Sequence, residues 1–252
     1  MTMPALNFKV FIFWVATLFL PATIWGQVST EISQGHQLYN QNQFGEAAEI
    51  YEQAITHGMK NGHLYYNLGN TYFRMGNLPK AILNYVKAQN LLPRDEDVKA
   101  NLEYAIRQTV DQLDGRKPHA LESILFWVRD VNISEHRMAL FWINLAFWIA
   151  MAVRLHLRTP ATQSVRNILL SFLLLALVST GFRWHQETHQ SIGVILPQQI
   201  DVHSGWNTST VALFQLHQGT LVSIVQEKEN WYQIELSDEK KGWTLKSNIA
   251  AG

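Results

Sequence analysis

Two apolar runs stand in the middle of this chain: MALFWINLAFWIAMAV over Met138–Val153 and ILLSFLLLALVSTGF over Ile168–Phe182. Only a short arginine-bearing segment separates them. Alone, each falls short of the roughly 20 residues that a bilayer-spanning helix needs at about 1.5 Å per residue. The flanks make up the difference. Leu155 and Leu157 extend the first run, Val165 and Trp184 extend the second, and Arg154 and Arg158 can snorkel. A soluble helical hairpin would need a polar face on each helix, and these runs are apolar nearly all round. They predict a transmembrane helical hairpin over 136–184, with a water-soluble arm on either side. Trp142, Trp148 and Trp184 suit the interfacial belt, although Trp142 and Trp148 equally suit lipid or the partner helix. Asn144 is the clear polar intruder, and a hydrogen bond to Ser171, Ser179 or Thr180 on the second helix is expected of it. Neither run contains an ionisable residue, which argues against an intramembrane functional site.

Orientation follows from charge. Arg154, Arg158 and Arg166 flank the connection with no acid between them, whereas the outer flanks mix Glu135 with Arg137 and Arg183 with Glu187. The positive-inside rule puts the connection in the cytoplasm and both arms outside. In a Gram-negative cell that means a multi-pass inner-membrane protein with two periplasmic arms. The N-terminus agrees. Lys9, the apolar stretch Val10–Leu20, Pro21 and the small Gly26 before Gln27 read as a signal peptide over 1–26. An uncleaved signal-anchor is the alternative, because Ile24 and Trp25 make a poor cleavage site, and it exports the same arm. There is no cysteine, hence no disulfide framework. The formal net charge is zero, so nothing points to nucleic acid.

The first arm repeats with a period of 34 residues: Ala47, Tyr51 and Ala54 return as Ala81, Tyr85 and Ala88, Gly35 as Gly69, and Phe44 as Leu78, with Pro93 closing the second unit. These marks resemble the tetratricopeptide repeat over residues 28–114: two full units plus a capping helix. In such a repeat the glycines let paired helices approach closely and the tyrosines fill the space between repeats. The capping helix is expected over Asp95–Asp114, with Leu102, Ile106, Val110 and Leu113 on its apolar face. The resemblance implies a concave protein-binding groove lined by the first helix of each pair. Its residues here would be His36, Tyr39, Asn40, Asn67, Asn70, Arg74 and Asn101. Some relatives grip a carboxylate with Lys and Asn. Asn67 matches one such position, but Ile32 and His36 replace Lys and Asn in the first repeat. Asn67 and Asn101 equally suit hydrogen bonds to backbone between neighbouring helices.

Between repeat and membrane, Asp114–Pro118 breaks the chain. An amphipathic juxtamembrane helix over 119–133 follows, with Leu121, Ile124, Leu125, Val128 and Val131 in its stripe. Ser134 before Glu135 is the expected N-cap of the first membrane helix.

The second arm, 191–252, is built of short β-rich runs (IGVIL, QIDVH, VALFQL, LVSIV, WYQIEL, GWTL) separated by turns such as Ser204-Gly205 and His217-Gln218-Gly219. The Gly219-Thr220 turn, Trp231 and Gly242-Trp243 resemble a bacterial SH3-like barrel. Trp206 and Tyr232 are the candidate ligand face, while Trp231 and Trp243 are expected in the core. The polyproline-binding signature of eukaryotic SH3 domains is not evident.

Catalytic patterns do not stand out, and no cofactor is expected. His185 and His189 share a helix face in HQETH, but two ligands fall short of a zinc set and the Glu is misplaced for HExxH. The expected fold class is therefore multidomain α + β: a helical tetratricopeptide array, a two-helix transmembrane hairpin and a small C-terminal all-β SH3-like barrel. This module order resembles the BatE proteins of bacterial aerotolerance (Bat) operons. That resemblance implies a non-catalytic envelope scaffold working with membrane-anchored von Willebrand factor A-type proteins and a MoxR-type AAA+ ATPase. The alternative function is a peptidoglycan-binding anchor acting through the barrel.

Overall fold

The computed structural model describes residues 25–111, 127–189, 191–236 and 240–251, in two units, 1–59 and 60–252. The expected signal peptide, apart from Trp25 and Gly26, lies outside the described residues. So does most of the expected juxtamembrane stripe.

The first unit pairs α1 (Trp25–Asn40) with α2 (Phe44–Thr56). Ala47 and Ala54 are fully buried, and Tyr51 nearly so. A Cβ on Gly35 would lie 2.5 Å from Cε1 of Tyr51. The glycine thus makes room for the tyrosine ring of its own helical pair, a closer job than filling space between repeats. Burial pushes the Tyr51 hydroxyl up to about 12, with Tyr39 adding to the shift.

The second unit begins with the same device. In α3 (Gly62–Arg74) and α4 (Leu78–Leu91) a Cβ on Gly69 would sit 2.7 Å from the Tyr85 ring. The local starts are written in sequence. Asn61, Asn77 and Asp95 each accept a backbone N–H of the following turn and so cap α3, α4 and α5 (Glu96–Arg107). The capping helix differs from its expected form. It ends at Arg107 and buries Val98, Leu102 and Ala105, while Val110 is exposed and Leu113 lies outside the described residues. The chain leaves the helical path at Thr109, whose hydroxyl donates back to the carbonyl of Ile106. The apolar period therefore continues in sequence past the point where the helix stops.

After the short α6 (Trp127–Asp130), the helices α7 (Ile133–His156) and α8 (Pro160–His189) form an antiparallel hairpin. Both are long and apolar enough to cross a membrane, and their residues are scarcely buried by the rest of the protein. The connection is shorter than the sequence suggests: Leu157, Arg158 and Thr159, with Arg154 and Arg166 on the helices themselves. α8 continues through His185 to His189, as a helical extension of the apolar run.

Two local expectations are corrected here. The N-cap of α7 is Asn132, not Ser134: Asn132 Oδ1 accepts the Glu135 amide at 2.9 Å and Glu135 Oε2 accepts the Asn132 amide at 3.0 Å. This reciprocal pair needs an acid three residues after the cap, a spacing that Ser134 lacks. Asn132→Ala should lower stability by about 1 kcal/mol, read as a fall in the thermal midpoint of the purified chain; an unchanged midpoint would refute the cap assignment. Asn144, in turn, does not bond across the hairpin. Its expected partners are taken: Ser171 donates to Asn167 O, Thr180 to Ala176 O, and Ser179 meets His136 and Trp127.

The C-terminal arm is an all-antiparallel sheet ordered β3-β2-β6-β5-β4-β1-β7. Its strands are β1 (Ser191–Ile195), β2 (Gln199–His203), β3 (Ala212–His217), β4 (Leu221–Lys228), β5 (Trp231–Glu235), β6 (Lys241–Leu245) and β7 (Ile249–Ala251). Ile195, Ile200, Val202, Leu216, Val222, Ile234, Leu236 and Ile249 form its aliphatic core.

Candidate binding surfaces

The groove residues predicted from sequence fall into two groups. In the first unit, His36 meets Tyr51 edge-on at 6.0 Å and Tyr39 meets Phe44 at 5.3 Å. His36 and Asn40 are exposed. In the second unit, Asn67, Asn70 and Arg74 follow one face of α3, with Asn101 opposite them on α5. Asn70 and Asn101 are internally engaged. Asn70 Oδ1 accepts the Tyr85 hydroxyl at 2.7 Å and the Asn101 amide at 3.0 Å, and the Asn101 amide also donates to the Tyr66 hydroxyl at 2.9 Å. A side-chain network thus joins three helices in place of the backbone bonds that sequence reasoning offered for Asn101. Tyr66 is the member that the repeat pattern missed. Its signal was available in the i, i+4 spacing to Asn70.

Helix α4 is packed against the C-terminal sheet of the same unit. β1 and β7 lie against α4, and Ile82 at the centre of α4 is fully buried. Gly219, at φ +85°, presses its backbone against Thr109, Ile82 and Leu78; an added Cβ would approach Thr109 to 2.7 Å. The contact is locked by Asp111. Its Oδ2 accepts the Thr220 hydroxyl at 2.6 Å and the His217 amide at 2.7 Å, and its Oδ1 meets His217 Nδ1 at 2.9 Å. An ionised carboxylate only accepts, so Nδ1 carries the proton in this bond. Burial pushes the Asp111 carboxyl up, but the bonds from Thr220 and His217 and the attraction of His217 outweigh it, holding the group below its ordinary value.

The hairpin is fastened to the other end of α4. Asn132 Nδ2 donates to the carbonyl of Leu91 at 3.3 Å and the Arg183 guanidinium to that of Asn90 at 3.2 Å. These are last-turn carbonyls without intrahelical partners, and a cation beside them also complements the helix dipole. Arg94 pairs with Glu135. Buried His136 bridges the Asn132 carbonyl and Ser179, both at 3.0 Å. The start of α7 and the far end of α8 are thus held at one place on the second repeat.

On the barrel, the two predicted face residues are not brought together. Cross-strand register places His203, Trp243, Gln233, Trp231 and Lys228 on one side of the sheet, and Tyr232 on the side of Ile234. Tyr232 packs against the aliphatic core. Trp206 stays exposed and meets Trp243 edge-on at 5.7 Å, with Lys228 Nζ 3.1 Å above its ring centre. His203 meets Trp231 at 5.8 Å. Trp231 and Trp243 are buried, as expected, but in this aromatic cluster and not in the aliphatic core. His203 and Lys228 were missed in sequence, because only the strand register reveals their shared face.

Residues 64–95 match the family model of the tetratricopeptide repeat, and residues 207–250 that of the bacterial SH3 domain. Both are interaction modules. The first match spans α3 and α4, where Gly69 meets Tyr85; the second begins just after Trp206 and covers β3 to β7 up to Ala250. Comparison with curated proteins finds none that matches this chain.

Proposed function

We propose that the chain is a non-catalytic membrane-anchored adaptor, presenting a tetratricopeptide groove and an SH3-like module in the periplasm from an inner-membrane hairpin. One observation carries this reading. The barrel and hairpin are seated chiefly on α4 and the 109–111 turn, leaving the polar face of α3 and α5 with Asn67, Arg74 and the Asn70–Asn101 pair for a partner. In the first unit, His36, Tyr39 and Asn40 are the candidate contacts for a partner. The loop arginines support the periplasmic orientation. The module order supports a place in a Bat-type envelope complex, with von Willebrand factor A-type proteins as partners.

A photo-crosslinking residue at Arg74 of the membrane-embedded chain should capture a protein partner, and one at Arg158 should not. Equal or absent capture from Arg74 would refute the groove. The exposed Trp206 supports a second reading, peptidoglycan binding by the barrel. On that reading the detergent-solubilised full chain sediments with cell-wall sacculi and Trp206→Ala abolishes it; no sedimentation of the wild type rejects the anchor.

A further inference from the structure

The hairpin carries a groove of about 320 Å³, lined by Arg137, Leu140, Phe141 and Asn144 of α7 and by Leu173 and Leu177 of α8. The four α7 residues are spaced i, i+3, i+4, i+7 and share one helix face. Its two ends differ chemically. Arg137 stands in the first turns of α7, on the side of the soluble arms, and its guanidinium donates weakly to Ser134 at 3.4 Å. Its neighbours are spoken for: Glu135 pairs with Arg94, and Arg183 is turned to the α4 carbonyl. Among the described residues Arg137 has no carboxylate partner. About 10 Å deeper, at 1.5 Å per residue, Asn144 opens into the same groove with no side-chain hydrogen bond among the described residues.

We propose that this groove is a binding site for one anionic glycerophospholipid, with its phosphate on Arg137 and an acyl chain running past Leu140, Phe141, Leu173 and Leu177 toward Asn144. The proposal rests on the reading of α7 and α8 as membrane-spanning. Charge selects the occupant. A guanidinium at the membrane surface beside an apolar channel complements a phosphate with a tail. A second copy packed in parallel on this face would bring two Arg137 groups together. The bulky lining also differs from the small residues that close helix–helix contacts favour. The groove volume is that of a small-ligand site.

The test uses the full chain in mild detergent, titrated with phosphatidylglycerol or phosphatidylcholine and read by native mass spectrometry. One phosphatidylglycerol should be retained in preference to phosphatidylcholine. Arg137→Gln should weaken its retention about fivefold, Arg137→Lys should restore most of it, and Leu173→Trp should block it by filling the groove; Arg158→Gln, at the opposite end of the hairpin, should have no effect. Excess inorganic phosphate should not displace the lipid. Equal retention of both lipids, indifference to Arg137→Gln, or displacement by phosphate would overturn the proposal. So would a lipid-free dimer that Asn144→Leu dissociates, which would assign the face to a second copy. Alkaline carbonate extraction of membranes tests the spanning reading separately: a chain that stays in the pellet but fails to select lipid refutes the groove alone.

Discussion

Asp111→Ala is expected to loosen the barrel from the second repeat, at a cost of about 2–3 kcal/mol. The carboxylate takes three bonds from the barrel, at 2.6, 2.7 and 2.9 Å. Its removal leaves the Thr220 hydroxyl, on a residue 1% exposed, with only the His217 carbonyl 2.7 Å away. His217 is better placed to recover, because its side chain reaches water, and this holds the figure below what three isolated charged bonds would give. Amide exchange at His217 is the direct readout: it should accelerate in the variant, while the barrel's tryptophan circular dichroism stays native. Unchanged exchange would show that the apolar contact of Gly219 with Ile82 and Thr109 suffices. The same group sets an acid limit. Its folded pKa lies below the ordinary 3.8, so its stabilisation is complete above that value and is lost as pH falls through the folded value. The latch is therefore fully closed at neutral pH, and the wild type should approach the variant's stability only as pH falls below the ordinary carboxylate value.

Tyr85→Ala should cost about 4 kcal/mol and Tyr85→Phe about 1 kcal/mol. The ring is 2% exposed and fills the space that Gly69 leaves; the hydroxyl adds the bond to Asn70 at 2.7 Å. Alanine opens a cavity between α3 and α4 and releases the Asn70–Asn101 pair together. Phenylalanine keeps the ring and loses one bond of the network. Chemical denaturation of the two variants checks both figures. If phenylalanine proves as damaging as alanine, the hydrogen-bond network and not ring packing holds the repeat, and the role assigned to Gly69 is wrong.

The separation between sequence and structure has particular causes. The glycine–tyrosine pairing at Gly35/Tyr51 and Gly69/Tyr85 was visible as a 34-residue period, because close helix packing demands the same small and large residues in each turn of the repeat. The apolar character of α7 and α8 was visible because their runs are apolar on nearly every face, so no partner or register is needed to read it. The barrel strands could be read because their alternation is local. The candidate sites were less legible. Trp206 and Tyr232 are both aromatic, yet the register of β5 puts Tyr232 on the side of Ile234, while Trp206, in the loop after β2, meets Trp243 of the other face. That Asn144 bonds to none of its expected partners could not be read from composition, since Ser171 and Thr180 satisfy themselves within their own helix.

By itself, then, the sequence determined the parts: repeat, hairpin and barrel, each dictated by short-range periodicity. The tertiary structure alone decided how they are joined in the second unit. Asp111 meets His217 across 106 residues, and Arg183 reaches Asn90 across 93. Such bonds leave no periodic trace, because each depends on one polar group reaching an unsatisfied partner that the fold brings near. They join the second repeat, the helical hairpin and the C-terminal sheet around α4.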